Sequence, residues 1–184
     1  MDSSEVLRLV EHCLPSFKEA GLPPLETHDI AGVTHSAIAS LWAGMGSVFE
    51  ITVECKSGSH PLSIVAKRVN IPAQCCSIGD QRKKDSYAVE AAFYSQGHAQ
   101  RLIAAGAVVP HPLFIDVSRH PSVTICMTRL DGRSSCRGDS FAFATWLATM
   151  HATYWGSERA DAAVATGLQA QGYVALYPAA TNLL

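Results

Sequence analysis

Lys67 lies in Ser63-Ile64-Val65-Ala66-Lys67-Arg68-Val69, an ammonium within a run of β-branched and small apolar residues. A lysine on a strand ordinarily turns to solvent, but one held among apolar neighbours is a point charge suited to phosphate oxygens. Glu90, in Ser86-Tyr87-Ala88-Val89-Glu90-Ala91-Ala92-Phe93-Tyr94, is a carboxylate with two aromatic rings one turn on. It can pair with a cation or stand as an ordinary exposed helix glutamate. The third feature is the glycine pair Gly44 and Gly46, followed by Ser47, in Leu41-Trp42-Ala43-Gly44-Met45-Gly46-Ser47-Val48-Phe49. Missing side chains there let backbone N–H groups approach an anion.

These residues need elements to carry them. From Phe49 to Cys55 apolar and polar residues alternate, with Phe49, Ile51, Val53 and Cys55 on one side and Glu50, Thr52 and Glu54 on the other, the pattern of a half-buried strand. Lys56 to Pro61 has turn chemistry, and Leu62 to Val69 continues as a second strand, so the two form a hairpin bearing Lys67. Thr34 to Ala43 reads as a further strand before the glycines. Asn70 to Lys84, polar and charged, reads as a surface loop. Asp85 or Ser86 then caps a helix that carries Glu90 through Ala105, weakened at Gly97 and ended by Gly106.

Val6, Leu9, Val10, Cys13 and Phe17 share one helical face and predict an amphipathic helix over 4–19, stopped at Gly21-Leu22-Pro23-Pro24. Strands are expected over 113–117 and 123–130. A last helix, capped by Asp139 or Ser140, carries Phe143, Trp146, Leu147, Met150 and Tyr154 on one face. Short connections on both sides of one helix favour an antiparallel sheet with that helix packed on it, an α+β domain, over alternating βαβ units.

Glycine turn, strand lysine and helix glutamate follow one another in the order of a kinase nucleotide lobe. Twenty-three positions separate Lys67 from Glu90, room enough for the intervening loop and first helical turns. Residues 44–156 resemble the amino-terminal part of the aminoglycoside phosphotransferase and choline-kinase-like superfamily, nearest to its ecdysteroid-kinase-like branch. The likeness rests on Ile64-Val65-Ala66-Lys67-Arg68-Val69, on Ser86 to Tyr94, on Val109-Pro110-His111-Pro112 leading into Ile125-Cys126-Met127-Thr128-Arg129-Leu130-Asp131-Gly132, and on Trp146 to Gly156.

The resemblance implies a kinase-like amino-terminal lobe, of about five antiparallel strands and a packed helix, over 31–132. An amino-terminal helix and linker occupy 1–30, and an incomplete second lobe starts within 133–184. It also implies ATP as cofactor with Mg²⁺. Lys67 would hold the α- and β-phosphates and Glu90 would fix Lys67. Gly44, Gly46 and Ser47 would lie beside the phosphates. Met127 would sit near the base, and backbone near Thr128 and Leu130 would bind the adenine edge. A small molecule bearing a hydroxyl is the implied acceptor. His151, one turn after Leu147, reads as a core residue rather than a catalyst.

The chain departs from this pattern in two places. No third glycine follows Gly46, and Thr128 stands where an acidic residue is common. Phosphoryl transfer also needs a carboxylate to orient the acceptor and another to hold Mg²⁺, and the family carries both in its second lobe. No H-x-D motif occurs in the 184 residues, and Ala162 to Leu184 contains no charged side chain. The expected reading is the ATP-binding part of a small-molecule kinase that ends before its catalytic loop and is inactive by itself, with no catalytic or metal-binding residue assigned. The alternatives are a non-catalytic nucleotide-binding or interaction module and an unrelated α+β domain.

Composition narrows the remaining classes. With 14 Lys+Arg against 16 Asp+Glu and 48% hydrophobic residues, the chain has a globular make-up and no basic excess for nucleic acid or an anionic membrane. A chain of this length buries about 70% of its unfolded surface without staples. The polar, acidic start Met1-Asp2-Ser3-Ser4-Glu5 is unlike a secretory signal, and no apolar stretch reaches membrane-spanning length, so a cytoplasmic location with reduced thiols is expected. Cys13, Cys55, Cys75, Cys76, Cys126 and Cys136 show no C-x-x-C spacing for zinc. Arg137-Gly138-Asp139 is read as a helix cap, not an adhesion motif.

Overall fold

The computed structural model describes residues 1–41, 44–58, 60–71, 77–118, 122–132 and 139–168. The chain divides into two compact units: Met1–Cys75 with His111–Arg129, and Cys76–Pro110 with Leu130–Leu184.

The first unit is an antiparallel sheet with a helix on it. Its strands are β1 (Ile30–Ser40), β2 (Gly46–Cys55), β3 (Leu62–Val69), β4 (Pro112–Asp116) and β5 (Val123–Thr128), in the order β1-β2-β3-β5-β4. The α+β class and the antiparallel sheet are as the periodicity predicts. Cross-strand partners Ile51–Ile64, Phe49–Ala66 and Ala66–Cys126 set one face. Helix α1 (Ser3–Cys13) supplies Val6, Val10 and Cys13 to a core with Ile51, Val53, Ile64, Ala66, Leu113 and Cys126. Each large aliphatic side chain so buried contributes about 1.5–3 kcal/mol.

The Asp2 carboxylate caps α1 by accepting from Glu5 N–H at 2.8 Å. The helix was expected to run to residue 19 but ends at Cys13. Pro15 lacks the N–H that the next turn requires, and the chain tightens into a 3₁₀ turn over Leu14–Ser16 that still delivers Phe17 to the core. Ser16 Oγ donates to the Leu113 carbonyl at 2.8 Å, tying that turn to β4.

The second unit, as described, is helical: α2 (Ile78–Ser95), α3 (His98–Ala104), α4 (Ser140–Thr153) and α5 (Ser157–Ala165). Helix α2 begins well before the expected cap at Asp85 or Ser86. Ser77 and Asp80 form a reciprocal capping box, Ser77 Oγ accepting from Asp80 N–H at 3.0 Å and Asp80 Oδ2 from Ser77 N–H at 3.3 Å. The weak point at Gly97 is a break: its φ of +78° separates α2 from α3. Gly106 ends α3 as expected, in the left-handed conformation.

Helix α4 departs most from its predicted pattern, for only Met150 is buried, Trp146 and Leu147 are half-buried and Phe143 is exposed. Its first nine residues are apolar nearly all round, so no single stripe selects a face. Asp139 stands at its N-cap position without a side-chain capping hydrogen bond; Arg137, Gly138, the Cys75-Cys76 pair, Cys136 and everything after Leu168 lie outside the described residues. His151 is exposed, against the expected core position.

The buried histidine is His98, with Nδ1 3.0 Å from the Tyr154 hydroxyl and Nε2 2.9 Å from Thr166 Oγ1. Thr166 directs its hydroxyl proton to the Ala162 carbonyl at 3.0 Å, so it accepts from Nε2–H, and Nδ1 accepts from Tyr154. Among the described residues no helix is long and apolar enough to cross a membrane.

Candidate functional site

Lys67 is the residue whose placement matters most. Strand β3 is central, flanked by β2 and β5, and Lys67 pairs across with Val48 and Ile125. Alternation puts it on the face opposite α1, together with Val48, Val65, Val69, Ile125 and Met127. All six are buried, and Lys67 is only 4% exposed. The ordinary solvent-facing strand lysine does not describe it. A buried ammonium costs several kcal/mol unless it is paired, so this position holds a charge at a low-dielectric apolar surface. The same face carries Glu50, opposite Val65 and paired with Arg129; its apolar part around the Lys67 cation has the chemistry to hold a flat base beside an anionic group.

Met127 shares this face, directly across from Val65. Ser47 pairs with Arg68 and therefore belongs to the other face, half-buried. Thr128 closes β5 and is committed to its neighbour: its N–H donates to the His111 carbonyl and its Oγ1 accepts from His111 N–H, both at 2.9 Å. A base edge would have to use linker groups beyond these two. Leu130, half-buried, opens the second stretch of the helical unit immediately after Arg129.

The two glycines have distinct local jobs. Gly44 sits exposed in the β1–β2 turn at φ +69°, and its N–H donates to the Leu41 carbonyl at 3.2 Å. Gly46 adopts φ +134°, and a Cβ there would lie 1.9 Å from the Arg68 carbonyl oxygen. Only glycine lets β2 and β3 approach at this point. Met45 between them is fully buried and its carbonyl accepts from Asn70 N–H at 2.8 Å. The turn is thus anchored on both flanks, on the end of the sheet where β3 finishes.

Glu90 belongs to the helical unit, on the side of α2 that also carries Tyr87 and Tyr94, three and four residues away. Its Oε1 is buried. Burial first, and then the Glu90 charge, raises the pKa of both phenols. Glu90 as a whole is half-buried with Oε1 inside, unlike an exposed helix glutamate.

Two features escaped sequence reading. Arg129 Nη1 lies 2.6 Å from Glu50 Oε1, joining the exit of β5 to β2; the outward alternation of Glu50 was the available signal. Cys13 and Cys126, both fully buried, interact through their thiols, and that contact together with burial drives the Cys13 pKa strongly upward. Among the described residues, no group of three or more His, Cys, Asp or Glu side chains is placed to hold a metal ion.

Comparison with protein-family models, with curated proteins and with solved structures finds no match for this chain.

Proposed function

We propose that the chain is the ATP-binding part of a cytoplasmic small-molecule kinase of the aminoglycoside phosphotransferase and choline-kinase-like type, acting on an alcohol. The observation that carries this reading is the burial of Lys67 on an apolar face of the central strand. The strand order and the succession of glycine turn, strand lysine and helix glutamate support it.

In this reading Val48, Val65 and Met127 offer the apolar surface for adenine, and the Lys67 ammonium meets phosphate oxygens. Glu90, on the helical unit, is assigned the role of the helix glutamate of such a kinase by its place in the sequence order. The β1–β2 turn, held by Gly46 and Met45, bounds the phosphate side. ATP supplies the transferable phosphoryl group when bound. The assigned residues include no Mg²⁺ ligand and no acceptor-orienting carboxylate, so no transfer step is derived for these 184 residues. Phe141, Phe143 and Trp155, each more than half exposed on the helical unit, favour a second reading, a non-catalytic nucleotide-binding or interaction module.

The test is a titration of the purified chain with a fluorescent ATP analogue in the presence of Mg²⁺. Saturable binding, displaced by ATP and lost in a folded Lys67→Met variant, is expected. Absence of binding, or equal binding by Lys67→Met, would overturn the assignment.

A further inference from the structure

Strand β1 closes one edge of the sheet and β4 the other, and the two edges are built differently. β4 has five residues, begins at Pro112 and ends at Asp116, a proline and a charge that deter a further strand. β1 has eleven residues and contains no Pro, Asp, Glu, Lys or Arg. Among the described residues, no backbone group of Ala31–Ser40 has a backbone hydrogen-bond partner outside β2. Its outer row of N–H and C=O groups is a template on which another strand can pair.

The side chains along this edge say which strand. Register shifts at Ile30/Gly32 and Ala37/Ala39 bound a regular run, Gly32–Ala37. Just past one end of it Ile38 stands 41% exposed. At the other end Gly32, which offers no side chain, lines a groove of about 410 Å³ with Leu7 of α1 and with Ile30, Ala31 and Val33, three hydroxyl-bearing residues completing the wall. Ile38 and Gly32 lie three residues to either side of His35. Antiparallel pairing of β1 with its own copy about a two-fold axis at His35 therefore brings the Ile38 of each copy beside the Gly32 groove of the other, and every contact is made twice. The same register sets Thr34 against Ser36, and Val33 against Ala37, which share the sheet face of Val53 and Phe49; none of these pairs carries a charge to oppose it. We infer that β1 is a docking edge for a second copy of this chain, two sheets joining across it with the Ile38 of each seated in the groove at Gly32 of the other. The inference rests on the sheet alone and does not depend on nucleotide binding.

Sedimentation of the full chain over a wide concentration range is expected to show a monomer–dimer equilibrium. Ile38→Lys, a change at an exposed site that should leave Tm where it is, should weaken the dimer about tenfold or more, because two-fold symmetry removes each apolar contact twice. Val117→Lys, at an apolar side chain 51% exposed just after β4, should leave the equilibrium unchanged. Mild oxidation of the His35→Cys variant should join two copies at that position, as read by peptide mass spectrometry, since directly opposed Cα atoms lie about 4.5–5.5 Å apart and within disulfide reach. A chain that stays monomeric at every concentration would overturn the inference, including one whose β1 pairs instead with a strand of another protein. So would a dimer that Ile38→Lys leaves intact, or one that His35→Cys does not cross-link.

Discussion

Gly46→Ala separates a glycine required by sheet geometry from one that merely tolerates a turn. The new Cβ would lie 1.9 Å from the Arg68 oxygen, 3.0 Å from the Arg68 carbonyl carbon and 3.1 Å from Val69 Cα. All three are backbone atoms, so no side chain can swing aside. Relief requires the start of β2 to move off β3, weakening the pairings Gly46–Val69 and Ser47–Arg68 at about 0.5–1.5 kcal/mol per hydrogen bond. A non-glycine residue at φ +134° adds about 1–3 kcal/mol of backbone strain. The sum is roughly 2–6 kcal/mol, a large share of the ~5–15 kcal/mol that holds a typical protein folded. For a chain of this size that is a fall in Tm of roughly 10 °C. Gly44→Ala is the control: φ +69° with nothing within 4 Å of the added carbon, hence about 1–2 kcal/mol. Urea unfolding followed by tryptophan fluorescence compares the two. A Gly46→Ala variant as stable as Gly44→Ala would refute the close approach of β2 and β3.

Burial, with a smaller contribution from Arg101, lowers the His98 pKa. The folded state therefore favours the neutral ring, and its contribution to stability is complete above about pH 6.5 and is lost as pH falls from there through the folded pKa. Tm should fall as pH drops below about 6.5, and the drop should shrink in His98→Gln; an unchanged pH response in that variant would contradict the Tyr154–His98–Thr166 arrangement. Residues 1–184 alone, lacking an H-x-D motif, should release no ADP in a coupled assay with any alcohol, and steady alcohol-dependent turnover would contradict the reading.

The sheet was readable where alternation was clean. Phe49 to Cys55 and Leu62 to Val69 are strands because period-two burial is a local property of the chain. The burial of Lys67 needs more: Val65 and Val69, two positions either side of it on the strand, are apolar like Ile64 and Ala66 on the opposite face, the pattern of a strand covered on both faces, and that pattern argues against a solvent-facing lysine. Gly46 could be recognised as a glycine near a turn, but its requirement comes from the register that sets it beside Arg68, which no local pattern carries. The start of α2 was missed because Asn70 to Lys84 is polar overall, and polarity outweighed the Ser77–Asp80 box at its centre. His98 gave no signal, since its partners Tyr154 and Thr166 lie 56 and 68 residues away.

The most direct test of the central claim asks which lysine meets the phosphates of ATP. The chain has five, Lys18, Lys56, Lys67, Lys83 and Lys84, and an acyl-phosphate derivative of ATP transfers its acyl group to an amine beside the bound phosphates. Peptide mass spectrometry should find Lys67, the buried one, labelled and protected by excess MgATP. Labelling confined to the other four, or labelling of Lys67 that ATP does not suppress, would contradict the assignment.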